Sequence, residues 1–348
     1  MADLNHTNQN FSSSFLSIVF SFYNEEDVLP ELIQRTRAAL TQLQSQGNIV
    51  GYELIFVNDA SNDNSLRVLL DCTHGHDDIR IMNMSRRFGV SPCVMAGLAY
   101  TKGDLVVYMD ADLQDPPEVI PGIIEKMRQT DADVVHTVRE SRKGESAFKL
   151  FLTRLGYAIL NKTSSVQLPV EAGDFKLLSR RVVDHILQLK EHRPFMRGLV
   201  CWVGFKQEFV PYHRAPRYAG QAKFFILGKD VINNFFSSAL ISFSSAPLRM
   251  AYIVGLWALF FDFILFCHVM FEKLSGRAVP GWTAIMMAIL FLGAIQLLCM
   301  GILGLYMYSI YEQTRARPNY IVESMYGFTN TDDKDQQLDL KLKRKNIS

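Results

Sequence analysis

The chain has 348 residues, a net charge of +1 and 49% hydrophobic residues, with 24 Phe. The near-neutral balance argues against a nucleic-acid binder, and the length allows one large domain or two ordinary ones. The apolar excess lies in the last third, which points to a membrane portion rather than a greasier core. The five cysteines, Cys72, Cys93, Cys201, Cys267 and Cys299, are odd in number and contain no C-x-x-C pair. They read as reduced thiols of a cytosol-facing protein. Residues 1–14 are polar, lack the basic start of a signal peptide, and read as a disordered N-terminus.

Phe15 to Phe22 is predicted as a strand and is followed by the polar turn Tyr23-Asn24-Glu25-Glu26-Asp27. Val28 to Leu43 has helical spacing, with Leu29, Leu32, Ile33, Leu40 and Leu43 on one face. Tyr52 to Val57 is the next strand. Asn58 to Ser65 is rich in capping side chains and opens a helix to about Leu70. Ile79 to Met84 reads as a strand, Val90 to Tyr100 as a short helix, and Leu105 to Met109 as a buried strand. That strand leads into D-A-D-L-Q-D-P-P-E, Asp110 to Glu118. Prolines open a helix from Pro117 to Arg128, and Val134 to Val138 is a further strand.

This alternation implies an α/β fold, a mostly parallel sheet with helices on both faces. Ligands of such sheets bind at the carboxyl ends of the strands. Tyr23 to Asp27, Asn58 to Asp63 and Asp110 to Asp115 all fall at those ends, so they are expected to form one site.

Further on, Glu145 to Leu160 reads as an amphipathic helix carrying Lys149 and Arg154. Asp174-Phe175-Lys176-Leu177 reads as a turn into a strand, Arg180 to Leu189 as a helix, and Phe205 to Val210 as an edge strand. His213 to Lys223 is a basic loop, either solvated or an anion-binding flap. Residues 15–223 would form the cytosolic domain, and residues 224–250 would lie in the membrane interface as amphipathic helix. Ala251 to Phe271 is apolar except for Asp262 and His268, and Thr283 to Tyr311 carries no charge. A bilayer core needs roughly 20 helical residues. Two transmembrane helices, 251–271 and 283–308, are therefore expected as a hairpin within residues 251–311. Arginines flank the pair, but Lys273 and Arg277 occupy the loop between, so charge counting decides orientation only weakly. Residues 312–348 read as a largely disordered cytosolic tail.

Asp110 and Asp112, spaced i and i+2 at a strand exit, lie close together, and two close anions repel unless a positive group sits between them. A hard divalent cation does that through oxygen ligands, and it would itself bind a diphosphate. D-x-D alone fits a solvated acidic turn as well. No G-x-G-x-x-G and no Walker lysine loop occurs, which disfavours a dinucleotide dehydrogenase or a P-loop enzyme.

Read together, the motifs resemble a known family. They are Tyr23-Asn24-Glu25-Glu26, Asn58-Asp59-Ala60-Ser61 with Asp63, Ser85-Arg86-Arg87-Phe88-Gly89, Asp110 to Glu118, Val138-Arg139, Gly144-Glu145-Ser146, Gly173-Asp174-Phe175 and Arg197-Gly198. Gly220 with Lys223, Phe243 to Arg249 and Arg315-Ala316-Arg317-Pro318 complete the series. In this order they resemble the inverting polyprenyl-phosphate glycosyltransferases of the dolichol-phosphate-mannose-synthase and bactoprenol-glucosyltransferase group.

The resemblance implies a glycosyltransferase-A domain and transfer of one sugar from a nucleotide-sugar to a polyprenyl phosphate, with Mg2+ or Mn2+. By resemblance, Tyr23, Glu25, Asp59 and Asp110 would hold the nucleotide, and Asp110, Asp112 and Gln114 the metal. Asp112 and Asp174 would be catalytic, Asp174 matching the proposed catalytic base; because a phosphate monoester with its second pKa near about 6 is already mostly dianionic at neutral pH, Asp174 is expected to orient groups more than to remove a proton. Arg139 and Arg154 match basic positions that bind the lipid phosphate, and Arg217 and Lys223 of the basic loop are expected to close over that phosphate as a lid. The group implies a lipid-bilayer partner, a homo-oligomer such as a tetramer, and a bacterial inner membrane with the catalytic domain cytosolic. UDP-glucose is the donor expected first, because Gly173-Asp174-Phe175 resembles the glucosyl members, with mannose, N-acetylhexosamine or an aminoarabinose-type sugar as the alternatives.

Three positions depart from the group. Asn58 stands for a frequent Asp, Ala60 for a frequent Gly, and Gly304-Leu305-Tyr306 for Gly-Glu-Tyr. A processive synthase of the same fold would need a Q-x-x-R-W motif, which is missing. A non-catalytic nucleotide-sugar binder would tolerate loss of Asp112.

Overall fold

The computed structural model describes residues 14–73, 75–139, 172–189, 191, 194–215, 218, 253–258, 260–261, 263–264 and 281–328. They fall into two compact units. One draws on Met1–Arg154, Leu168–Phe225 and Pro318–Ser348, the other on Leu155–Gln167 and Ile226–Arg317.

The first unit is built on an eight-stranded sheet. In chain order its elements are β1 (Phe15–Phe22), α1 (Leu29–Ser45), β2 (Gly51–Asn58), α2 (Ser65–Thr73), β3 (Ile79–Met84), α3 (Val90–Ala99) and β4 (Leu105–Asp110). Then come α4 (Ile120–Thr130), β5 (Val134–Arg139), β6 (Ala172–Ser179), α5 (Arg180–Gln188), α6 (Met196–Trp202), β7 (Gln207–Tyr212) and, after the second unit, β8 (Val322–Tyr326). The sheet order is β7-β5-β6-β4-β1-β2-β3-β8. Six strands run the same way, while β6 is antiparallel to β4 and β5, and β8 is antiparallel to β3.

Alternation within each strand divides the sheet into two faces. Leu16, Ile18, Phe20, Leu54, Phe56, Val107, Phe175 and Leu177 share one core with Leu29, Leu32, Leu40, Ile120 and Ile124 of α1 and α4. Phe20 and Phe56 stack across the β1–β2 pair at 4.8 Å. The opposite face is covered by α3, α5 and α6. There α3 approaches so closely that a Cβ on Gly97 would stand 2.3 Å from Val19 Cγ1 and 3.1 Å from Val57 Cγ2.

The two reversed strands matter for the site. Because β6 runs backwards, its first residues lie at the carboxyl ends of its neighbours: Tyr108 pairs with Lys176, and Val138 with Ala172. Asp174 is thus part of a strand rather than a preceding turn. β8 forms within the stretch that reads as tail. Its Val322 likewise faces Met84 at the carboxyl end of β3. Gly327 closes β8 at φ +77°, where a Cβ would meet Ile79 O at 2.6 Å. Phe328 then packs edge-on against Tyr100 at 5.5 Å.

The second unit contains α7 (Trp282–Thr314), 33 residues long. Its segment Phe291–Thr314 has a mean hydropathy of 1.8 and is, by length and composition, able to cross a membrane. It is the one such helix among the described residues. Of the other expected span, residues 253–258, 260–261 and 263–264 are described and helical, and Asp262 lies outside them. Of the expected hairpin, the described residues show one long helix and short helical pieces, and residues 272–280 of its loop lie outside them. Residues 224–250 also lie outside the described part.

Candidate active site

The parallel register places Ser21 beside Asp110 and Phe22 beside Asn58, so three loops leave the same edge of the sheet. At the tip of each stands a non-glycine residue in the left-handed region: Asn24 at φ 54°, Ala60 at 55° and Leu113 at 56°. Such backbone costs energy and persists where surrounding bonds hold it. Here those bonds are visible. Asn24 N donates to Ser61 Oγ (2.9 Å), Asn62 N to Asn24 Oδ1 (2.9 Å), Glu25 N to Ser65 Oγ (2.8 Å) and Asn64 N to Glu26 Oε2 (2.8 Å). The first two loops form one interlocked rim.

Tyr23 presents its ring on this rim, with the Arg87 guanidinium 4.3 Å from the ring centroid. Glu25 is buried. The Asp59 carboxylate accepts from the backbone N–H of Phe88 (2.6 Å) and Gly89 (3.0 Å). It therefore fixes the β3–α3 turn before it can serve a ligand, a role that sequence spacing does not show.

The acidic motif supplies the floor. Ser21 Oγ donates to Asp110 Oδ1 at 3.4 Å, and Gln114 N donates to Asp112 Oδ1 at 3.1 Å. Asp110 is pushed up to about 8, first by burial and then by the negative charges of Asp174, Asp112 and Asp115. Asp115 is 1% exposed and accepts from the Tyr212 hydroxyl, while Arg214 Nε stands 3.6 Å away. Burial raises its pKa, and Tyr212, Arg139 and Arg214 counteract part of that.

Asp174 belongs to the same group of charges. Burial alone would raise its pKa, but Arg197 grips it with two hydrogen bonds, Nε to Oδ1 at 2.8 Å and Nη2 to Oδ2, and holds it at about 2. Arg139, at the end of β5, lies over Gly173, 3.3 Å from where a Cβ would sit, and approaches Tyr212 Oη at 3.4 Å. It is a strand-end residue whose charge acts on both Asp115 and Asp174. Beneath these groups Lys176 is buried, and burial lowers its pKa to about 8. The Tyr108 hydroxyl is buried with no hydrogen-bond partner among the described residues.

The structure thus brings Asp110, Asp112, Asp174 and Arg139 together, and sets Tyr23, Glu25 and Asp59 on the adjoining rim. Arg154, Arg217 and Lys223 lie outside the described residues. Arg197, Tyr212, Asp115 and Arg87 had no assigned role in the sequence. For Arg197 the only signal was its place in an Arg-Gly motif.

An all-oxygen donor set in which the charges of Asp174, Asp112 and Asp115 raise the pKa of Asp110 fits a hard divalent cation. Among the described residues no three His, Cys, Asp or Glu side chains could hold an ion by themselves.

Acidic and amide-rich loops at the carboxyl edge of a mostly parallel sheet, without a glycine cradle, define a glycosyltransferase-A-like frame. Residues 17–187 match the family described as Glycosyl transferase family 2. An uncharacterised glycosyltransferase of Synechocystis sp. is 39% identical over 313 residues, 90% of this chain and 96% of that one. The bactoprenol glucosyl transferase of Shigella phage SfX is 34% identical over 310 residues, covering 89% and 99%. A prophage bactoprenol glucosyl transferase homolog of Escherichia coli K12 is 34% identical over 309 residues, covering 88% and 98%. The chain belongs to glycosyl transferase family 2. Within that family its motifs and its full-length similarity both lead to the bactoprenol glucosyl transferase group.

Proposed function

We propose that this glycosyltransferase moves one sugar, glucose from UDP-glucose in the first instance, onto a polyprenyl phosphate with inversion at the anomeric carbon. The observation that carries the reading is the facing of two groups at one sheet edge. The carboxylates of the Asp110–Asp115 loop meet the Arg197-bound Asp174, with Arg139 beside them. Asp110, Asp112 and Gln114 would hold Mg2+ or Mn2+, which when bound neutralises charge on the departing nucleoside diphosphate. Tyr23 and Glu25 line the rim where the nucleoside would sit.

Arg139 supplies a permanent charge and a planar fork suited to the acceptor phosphate. That phosphate has its second pKa near about 6 and arrives mostly dianionic, so it attacks without needing a base. Asp174 agrees with this. A carboxyl held at about 2 is a weak base, and two hydrogen bonds fix its direction, so it orients sugar hydroxyls or Arg197 rather than accepting a proton. α7 would keep the site at the membrane surface where a lipid-linked phosphate emerges, on the cytosolic face of a bacterial inner membrane.

The test uses purified protein in detergent with Mg2+ or Mn2+, polyprenyl phosphate and a panel of nucleotide-sugars. One inverted sugar per lipid is expected. Chelation, or Asp112→Ala, should cost at least about 100-fold in kcat. Full turnover in excess chelator, or tight nucleotide binding without any transfer, would sink the reading.

A further inference from the structure

A file of polar side chains runs from β8 into the rim, and its polarity is fixed at both ends. At the inner end the Ser61 backbone N–H, which can only donate, reaches Asn58 Oδ1 at 3.0 Å, and Ser61 Oγ reaches the same atom at 2.6 Å. The amide oxygen of Asn58 is thereby committed, so its Nδ2 must face the other way. It donates to Asn83 Oδ1 at 2.8 Å. Asn83 must in turn donate outward, and its Nδ2 meets Glu323 Oε2 at 2.7 Å. A carboxylate, an acceptor only, is the group that completes this sequence. Ser61 Oγ then accepts from Asn24 N at 2.9 Å, which extends the file into the first loop. Asn58 is 1% exposed and Asn83 8%, so neither amide has water to fall back on.

The backbone is shaped for this contact. Asn83 pairs with Ser324 and Met84 with Val322, so Glu323 is the extra residue of a β-bulge. Bulges redirect a side chain out of the regular alternation.

We infer that Glu323, on the strand that follows α7, is a positioning residue for the nucleotide-sugar, acting through Asn83 and Asn58 on the rim loops at Ser61 and Asn24. The inference rests on the rim being the nucleotide site of the proposed function. A negative end at residue 323 and an amide at residue 58 require each other. With Asp at 58, Asn83 must turn its Nδ2 inward, and its carbonyl then faces the Glu323 carboxylate. With Gln at 323, that carbonyl finds a donor again.

The experiment is a polarity-reversal cycle in the full chain in detergent: Asn58→Asp, Glu323→Gln and the double variant. Binding of UDP and of GDP with Mg2+ is measured by calorimetry, and amide exchange over residues 58–65 without nucleotide. Asn58→Asp should weaken nucleotide binding about fivefold, the net worth of one hydrogen bond, and speed exchange in that loop. Glu323→Gln, whose carbonyl still accepts, should stay within about twofold, and the double variant should return both readouts to within about twofold of wild type. The KM for polyprenyl phosphate should not move. If Asn58→Asp unfolds the sheet, exchange will rise throughout β1–β4. Glu323→Ala then carries the test, with loop exchange and nucleotide affinity expected to change together.

Losses that add in the double variant, with wild-type nucleotide binding intact, would overturn this inference alone. Wild-type protein that binds neither UDP nor GDP would overturn the functional reading and this one with it.

Discussion

Arg197→Gln tests whether Asp174 is a fixed anion or a working base. The pair is bidentate, with side chains 35% and 21% exposed. Breaking a fully buried pair costs about 3–5 kcal/mol because a charge is stranded. Solvent access at this exposure halves that to about 2 kcal/mol. For a unit of this size the loss is a drop of roughly 4–8 °C in Tm, measured by thermal melting in chelator.

The pH dependence gives the sign. Asp174 is held at about 2, below its ordinary 3.8, so the pair stabilises the fold above pH 3.8 and loses that contribution as the pH falls toward 2. In the variant, burial and the neighbouring carboxylates act without the guanidinium, so the Asp174 pKa rises. The acid limb of kcat should then move to higher pH. Asp174→Asn with Arg197→Gln should melt above the single Arg197 variant, since no charge is stranded. A single variant that melts like wild type with an unshifted pH profile would refute the reasoning.

Two further changes probe the scaffold. Gly97→Ala places a Cβ 2.3 Å from Val19 Cγ1 and should cost about 1–3 kcal/mol, recovered in part by Val19→Ala; unchanged melting would show that α3 does not pack as described. His136 Nε2 donates to Gln207 Oε1 (2.8 Å), the ring stacks on Phe209 at 5.1 Å, and its pKa is lowered to about 3 by burial and then by the Lys176 charge. Below pH 6.5 the unfolded chain gains a proton there that the folded chain refuses. Stability should therefore fall by up to about 1.4 kcal/mol per pH unit between 6.5 and 3. Melting of His136→Gln between pH 5 and 7 should show a shallower slope than wild type.

Much of the sheet was legible because its central strands are long apolar runs, and β1 and β3 fall where the sequence places them. The facing of the three loops followed from alternation alone. Direction was not legible: Ala-Gly-Asp-Phe-Lys-Leu-Leu-Ser has no feature that tells a parallel strand from a reversed one, so Asp174 reads as part of a turn. Val-Glu-Ser-Met-Tyr is short and half polar, and only its pairing with β3 makes it a strand. Asp59 is placed at the nucleotide by the resemblance, and its second set of bonds is not readable from the loop itself. Its bonds to Phe88 and Gly89 arise from a turn that is distant in sequence. Ala60 at φ 55° is what a frequent Gly at that place would have relieved.

The bulged contact between Asn83 and Glu323 joins residues 240 apart in the chain. At a ribosomal pace of about 5–20 residues per second, β3 waits roughly 12–48 s for its outer neighbour. Through that interval the sheet has a bare flank, the kind of surface that recruits stray strands. The stretch made meanwhile includes the whole of α7. The rim of the first two loops is therefore among the last parts of its unit to be completed, and a nascent chain interrupted before β8 emerges would carry an unfinished rim.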